Sequence, residues 1–251
     1  MLYVDDAHFG QPYFEQCFQL FERHSILGEC KNKRIAVCLS DSAFWIALCL
    51  YAKTRGGSLF PLPVDTPRDA ARRRAERSGC HYLVFGSDAE ALDTIETLVE
   101  PLTSGEKTPE PALIQTSSGT TGEPKFIERS WSSVDVEIES YVRHFASADR
   151  MTPIVACPVN HSYGVISGVL VALARGVQPV IIRNLNPKYI LRKLSESESP
   201  LLYSSPTLIA TLTLLASEEQ PLFAVMTSGT LMQKSWFENV RKKVRHLHQQ
   251  Y

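Results

Sequence analysis

Between residues 34 and 244 the chain alternates short apolar, β-branched runs with longer segments of helical period. Such alternation confines a chain to repeated strand–helix–strand units, because parallel neighbours need a crossover and a helix is the usual way to make one. The run Arg34–Leu39, RIAVCL, predicts a buried strand; residues 42–54 predict a buried helix stopped at Gly56 and Gly57; residues 58–64 predict a second strand. Pro67 suits the first turn of an Arg-rich helix, which Gly79 ends before a strand at 81–85. Residues 103–111, closing with SGEKTPEP, read as a linker.

A second series begins with a strand at 112–115 and a helix at 132–145. Strands follow at 153–156, 179–182, 201–203 and 223–226, with helices at 164–174, 188–196, 207–216 and 234–244. The expected fold is therefore α/β, with two stacked, mostly parallel sheets and flanking helices. It is expected to divide into an N-terminal subdomain 1–102, the linker 103–111 and a second subdomain 112–251. Ligands of such sheets lie outside the carboxyl ends of the strands, so the loops that follow strands carry the search for chemistry.

The richest of those loops is QTSSGTTGEPK, residues 115–125. Gly119 and Gly122 lack a Cβ, which lets the backbone turn sharply and bring its N–H groups close to an anion. Thr116, Ser117, Ser118, Thr120 and Thr121 add hydroxyl donors, and Lys125 adds a mobile cation at the exit. Many neutral donors with one charge suit a phosphate group that must bind and then leave. The spacing differs from the P-loop with Gly-Lys-Ser/Thr, since Pro124 separates the glycines from the lysine and no hydroxyl follows it.

With 251 residues, 44% of them hydrophobic, the chain can bury a substantial core, and disordered and fibrous classes are excluded. A formal charge of -1 from 26 basic and 27 acidic residues points to neither nucleic acid nor a membrane surface as the main partner. The one basic concentration, Arg68, Arg72, Arg73, Arg74 and Arg77, reads as the solvated face of an amphipathic helix. Six cysteines without CxxC pairs, mostly inside apolar runs, read as buried free thiols of a reducing compartment. No secretory signal or membrane-length apolar run is apparent, and a cytoplasmic enzyme is expected.

The segment TSSGTTGEPK resembles the phosphate-binding signature of the adenylate-forming superfamily, which includes acyl-CoA and aryl-CoA synthetases, nonribosomal adenylation domains and luciferases. The resemblance implies that the loop holds the triphosphate of ATP, with magnesium, while a substrate carboxylate attacks the α-phosphorus to give an acyl adenylate and pyrophosphate. It further implies transfer to a thiol of coenzyme A or of phosphopantetheine on an acyl carrier protein. Phe126 departs from the family, which commonly has glycine after the lysine.

By the same resemblance, His161 in CPVNHSYGVISG, residues 157–168, lies beside the carboxylate and the α-phosphate, so His161 and Lys125 are the expected catalytic pair. Tyr163 is an expected pocket wall, and Gly164 and Gly168 are expected to leave room for a flat or slender substrate. The His-Ser-Tyr trio is similar to that of aryl-acid activating members, which makes an aryl or arylalkenyl carboxylic acid the leading substrate, ahead of a fatty acyl one. A Cys157–His161 nucleophile pair is disfavoured for want of an orienting third group. Ser228, Gly229 and Thr230 match the small-residue loop beside the adenine, and Tyr251 matches the aromatic that opens the family's Tyr-Gly-x-Thr/Ser-Glu motif. The magnesium-binding acid, ribose-binding aspartate and lysine-bearing C-terminal domain of the family fall outside this sequence. A truncated N-terminal portion with negligible activity alone is thus expected, with a non-catalytic nucleotide- or acyl-binding module as the alternative.

Overall fold

The computed structural model describes residues 1–86, 91–105, 110–116, 125–216 and 221–250. In chain order the strands are β1 (Leu2–Val4), β2 (Ala7–Phe9), β3 (Arg34–Leu39), β4 (Ser58–Pro61), β5 (Tyr82–Gly86), β6 (Val99–Pro101), β7 (Ala112–Thr116), β8 (Phe126–Ser130), β9 (Thr152–Ala156), β10 (Val180–Ile181), β11 (Pro200–Ser204), β12 (Leu222–Thr227) and β13 (Val244–Gln249). The α-helices are α1 (Gln11–Arg23), α2 (Ser42–Arg55), α3 (Arg68–Arg77), α4 (Ala91–Leu98), α5 (Trp131–His144), α6 (Val171–Ala174), α7 (Pro187–Ser195), α8 (Pro206–Leu215) and α9 (Lys234–Lys243). The chain forms two compact units, Phe9–Glu137 and Met1–His8 with Ile138–Tyr251.

In Phe9–Glu137 a six-stranded sheet runs in the order β6-β5-β3-β4-β7-β8. Its central pairs are parallel, with Ile35 opposite both Leu59 and Tyr82, and Leu59 opposite Leu113. Both edge strands, β6 and β8, pair antiparallel. All six residues of β3 are buried, as a central parallel strand covered on two faces requires. Helix α2 is capped at its start by the Asp41 carboxylate, which accepts from Phe44 N at 3.0 Å, and is stopped by Gly56 at φ 73°. A side chain at Gly56 would be strained in that left-handed conformation.

The Arg-rich α3 turns only Ala71 and Ala75 inward, onto Ala36, Cys38, Phe60, Leu83 and Ile114. Its arginines face water: Arg68 meets Glu100 at 2.7 Å, and Arg72 meets Glu76 at 3.2 Å. The expected break at 103–111 and the observed one do not coincide. Strand β7 hydrogen-bonds to β4, and the Ser58 hydroxyl accepts from Ala112 N at 3.0 Å, so the residues after 111 stay with the strands before it. The units divide instead between Glu137 and Ile138.

In the other unit a seven-stranded sheet runs β13-β12-β11-β9-β10-β1-β2. The five pairings from β13 across to β1 are parallel. Ile154, Ala156, Leu202 and Val225 of the sheet pack against Ile190 and Leu194 of α7, Ile209 and Leu212 of α8, and Val240 of α9. Asn186 and Ser205 cap α7 and α8 by accepting from Lys188 N at 2.9 Å and Leu208 N at 3.3 Å, each followed by a proline in the first turn.

Residues Leu2–Val4 join this sheet through Tyr3 opposite Val180. Beyond them, the Asp5 carboxylate accepts from Arg183 N and Asn184 N. The Asp6 carboxyl is held below its usual range by donors from Lys193 and Arg192. Strand β13 begins at Val244, where the expected helix ended. Among the described residues no helix is long and apolar enough to cross a membrane.

Candidate functional site

Residues 117–124 lie outside the described residues, so the expected phosphate contacts of Ser117, Ser118, Gly119, Thr120, Thr121 and Gly122 are not described. Their flanks are. Thr116 ends β7, exposed, directly opposite Phe126 at the start of β8. The described flanks of the motif are therefore antiparallel neighbours at the sheet edge. Lys125, also exposed, stands one residue before the stem. Phe126 packs edge-on against Phe60 with ring centroids 5.5 Å apart, an aromatic contact that a glycine cannot supply.

In the second unit, β9 delivers Cys157–His161 at its carboxyl end. The chain then enters a π-helical stretch, Tyr163–Leu170, that continues as α6. Val171 N reaches back to Ile166 O, five residues, and this wide winding is rare and concentrated at functional sites. His161 N donates to Pro158 O at 3.2 Å and its carbonyl accepts from Val165 N at 2.9 Å, so the backbone is fixed while the side chain keeps an exposed surface. Desolvation of the ring holds the His161 imidazole below its usual range, which leaves a neutral nitrogen at pH 7.

The Tyr163 hydroxyl donates to Met226 O of β12, and its ring lies 5.9 Å from that of Tyr203. Burial raises its phenol far above the usual range. The two glycines that follow face protein. A Cβ on Gly164 would stand 2.3 Å from Pro158 O, and one on Gly168 would stand 2.9 Å from a methyl of Val155. The space that their missing side chains leave is taken by the close approach of the helix to β9 and its loop. Burial pushes the Cys157 thiol up to about 12, which keeps it protonated and removes it as a nucleophile.

Strand β12 ends at Thr227 and leads into Ser228, Gly229 and Thr230. Gly229 adopts φ 95° with open space where a Cβ would be, so conformation and not crowding selects glycine there. Beside this loop is a cavity of about 240 Å³ lined by Thr227, Met232, Phe237, Arg241, Leu247 and Gln249. Thr227 is 1% exposed, and among the described residues its hydroxyl has no hydrogen-bond partner. Gln250 ties the site's elements together: its N donates to Thr227 O at 2.9 Å, and its side-chain oxygen accepts from Ser167 at 3.1 Å. Tyr251 lies outside the described residues.

The structure thus joins the His161 segment to the Ser228 segment through Tyr163 and Gln250, on neighbouring parts of one sheet. Sequence reasoning missed Thr227, Arg241, Phe237 and Gln250. Only Thr227 and Gln250 carried a signal, their adjacency to Ser228 and Tyr251; the others come from α9 through packing. Among the described residues no three His, Cys, Asp or Glu side chains gather as a metal site.

Comparison with known proteins agrees with this architecture. A family model described as AMP-binding enzyme matches residues 25–251. A 3,4-dihydroxybenzoate–aryl-carrier protein ligase of Bacillus anthracis is 33% identical over 253 residues, covering 100% of this chain and 59% of its own length. Phenyloxazoline synthase MbtB of Mycobacterium tuberculosis strain H37Rv is 28% identical over 161 residues, 59% of this chain and 11% of that protein. Among solved structures, o-succinylbenzoate coenzyme A synthetase of Bacillus subtilis in complex with AMP matches with a TM-score of 0.77 at 15% identity, over 97% of this chain and 54% of that one. The apo form of MatB from Rhodopseudomonas palustris matches at 0.75 and 15% identity, over 100% and 56%. At such identities the structural matches speak for the fold alone, and this chain spans little more than half of the relatives that cover it fully. With nine-tenths of its length under one family model, the chain belongs to the AMP-binding enzyme family.

Proposed function

We propose that this protein serves the ATP-dependent activation of an aryl carboxylic acid as an acyl adenylate, followed by transfer to the thiol of coenzyme A or of a carrier protein's phosphopantetheine. The observation that carries this reading is the 33% identity, over the whole chain, to a ligase named for an aryl acid and an aryl-carrier protein. The phosphate motif supports it, since the loop's hydroxyls and Lys125 offer what a departing pyrophosphate needs. A cytoplasmic setting fits buried cysteines without pairing.

In this reading the protein does little covalent work. It aligns the carboxylate with the α-phosphorus and stabilises charge on the leaving group through donors fixed in advance. Lys125 and the hydroxyls of Thr116, Ser117, Ser118, Thr120 and Thr121, with the backbone at Gly119 and Gly122, serve the β- and γ-phosphates. His161, neutral at pH 7, offers a hydrogen bond to the carboxylate oxygen without adding a cation that would hold the substrate in its ground state. The loop Ser228-Gly229-Thr230 lets the purine approach backbone, with Thr227 and Gln249 as polar partners at the cavity. Tyr251 would stack on the base. Magnesium, when bound, would neutralise phosphate charge; among the described residues no cluster of acids, histidines or cysteines gathers to hold it.

Calorimetric titration with a non-hydrolysable aryl-adenylate mimic, beside an alkyl one, tests the proposal. The aryl mimic is expected to bind more tightly, and Lys125→Ala and His161→Ala are each expected to weaken it. Tighter binding of the alkyl mimic would overturn the aryl assignment, and no binding of either would overturn the reading for this chain.

A further inference from the structure

We propose that Phe126 and Glu128 are positioning residues that lock the register of edge strand β8 on β7 and so fix the point at which Lys125 leaves the sheet. The inference rests on the phosphate-binding role given to Lys125 above. Among the described residues strand β8 has one neighbour, β7, with five opposed pairs from Ala112↔Ser130 to Thr116↔Phe126. Register is well specified where a strand buries one apolar face. The sequence FIERS has no such face, and Ile127 is 47% exposed. Something other than patterning must hold it.

Two side chains do so, on the same face because they are two residues apart. The Phe126 ring meets Phe60 of β4 at 86° between planes. Glu128 accepts from the guanidinium of Arg34 at 2.6 Å, and that arginine side chain is only 8% exposed. Arg34 is itself fixed, donating to Ser78 O at 2.9 Å just past α3. A slip of two residues would keep the alternation of faces but carry Lys125 about 7 Å along the strand. It would also take the Glu128 carboxylate away from a buried cation. Loss of the Phe126–Phe60 and Glu128–Arg34 contacts opposes the slip, the first at the pair nearest the loop, Thr116↔Phe126, and the second two residues further along, at Ile114↔Glu128.

The test joins a register readout to a ligand readout. Cross-strand NOEs between Ile114 and Glu128 and between Thr116 and Phe126 report the register of the parent chain and of Phe126→Ala, Glu128→Ala and Arg34→Lys. Titration with ATP and with AMP reports the phosphate function, because Lys125 is assigned to the β- and γ-phosphates. In Phe126→Ala and Glu128→Ala the native NOEs are expected to weaken and ATP affinity to fall about tenfold, with AMP affinity unchanged; Arg34→Lys is expected to retain most of both. Glu128→Gln, a nearly isosteric change, stands in should Glu128→Ala not fold. Native NOEs with unchanged ATP affinity in these variants would overturn the proposal, as would equal losses for ATP and AMP, which indicate general destabilisation. If the parent chain itself binds ATP no better than AMP, the role of Lys125 fails, and the NOEs alone decide whether the clamp exists.

Discussion

The seven-stranded sheet holds its candidate residues by a different means from the six-stranded one. Strand β9 lies between β11 and β10, and β12 lies between β11 and β13, so the segments bearing His161 and Ser228 leave strands laddered on both sides. The phosphate motif instead joins β7 to the edge strand β8, where side-chain anchors replace a second ladder. One kind of precision is built into the main chain and tolerates no intrusion. The other is added by a few side chains and can be removed piece by piece.

Gly164→Ala should break the first kind most severely. Its methyl would strike the Pro158 carbonyl, and an overpacked interior of this sort costs about 3 kcal/mol. Urea unfolding followed at Trp236 is expected to show that loss, with the six-stranded unit, followed at Trp45 and Trp131, much less affected; equal loss in both units would contradict the comparison. Lys125→Ala should do the reverse, leaving both unfolding midpoints in place while weakening ATP about tenfold, the scale of one charge-assisted hydrogen bond. Between these lies Asp41→Ala, which removes the α2 cap and is expected to cost the six-stranded unit about 1 kcal/mol in the same denaturation experiment.

The smallest effect comes from pH. His161 and His248 in one unit, and His81 in the other, are held below their usual range by desolvation, so each contributes stability while neutral. That contribution is present above the ordinary histidine value near 6.5 and is lost as pH falls through the depressed folded values. Hydrogen exchange at pH 7.5 and 5.5, corrected for intrinsic rates, is expected to show a greater loss of protection in the seven-stranded unit. Equal or opposite changes would show that the histidine environments do not separate the two units.

The same contrast explains what could be read from the sequence. Interior strands such as RIAVCL announce themselves because burial on both faces leaves an unbroken apolar run. Edge strands do not: FIERS and VRHLHQ carry charges and histidines, and neither β8 nor β13 was legible as a strand. Helix α1 had a readable signal in Phe14, Cys17 and Phe21, buried at helical spacing behind Pro12. The polar stretch 103–111 looked like a boundary because composition is local, whereas the pairing of Leu59 with Leu113 that binds it into one sheet is not. At the site, motif order located the loops after β7, β9 and β12. It could not show that Gly164 and Gly168 are filled from within by Pro158 and Val155, or that α9 brings Arg241 and Phe237 to the Thr227 cavity. A sequence displays a missing side chain but not what occupies its place.

Strand β1 adds a matter of timing. Tyr3 pairs with Val180, so β1 waits for a partner made more than a hundred residues after it, while Phe9–Glu137 can close on itself in the interval. At ribosomal speeds that wait lasts roughly ten to thirty seconds. During it, the apolar Leu-Tyr-Val strand is open to proteases and to foreign sheet edges. Ribosomes stalled near residue 150 should display it as a cleavable tag; stalling after β10 has emerged from the exit tunnel should hide it.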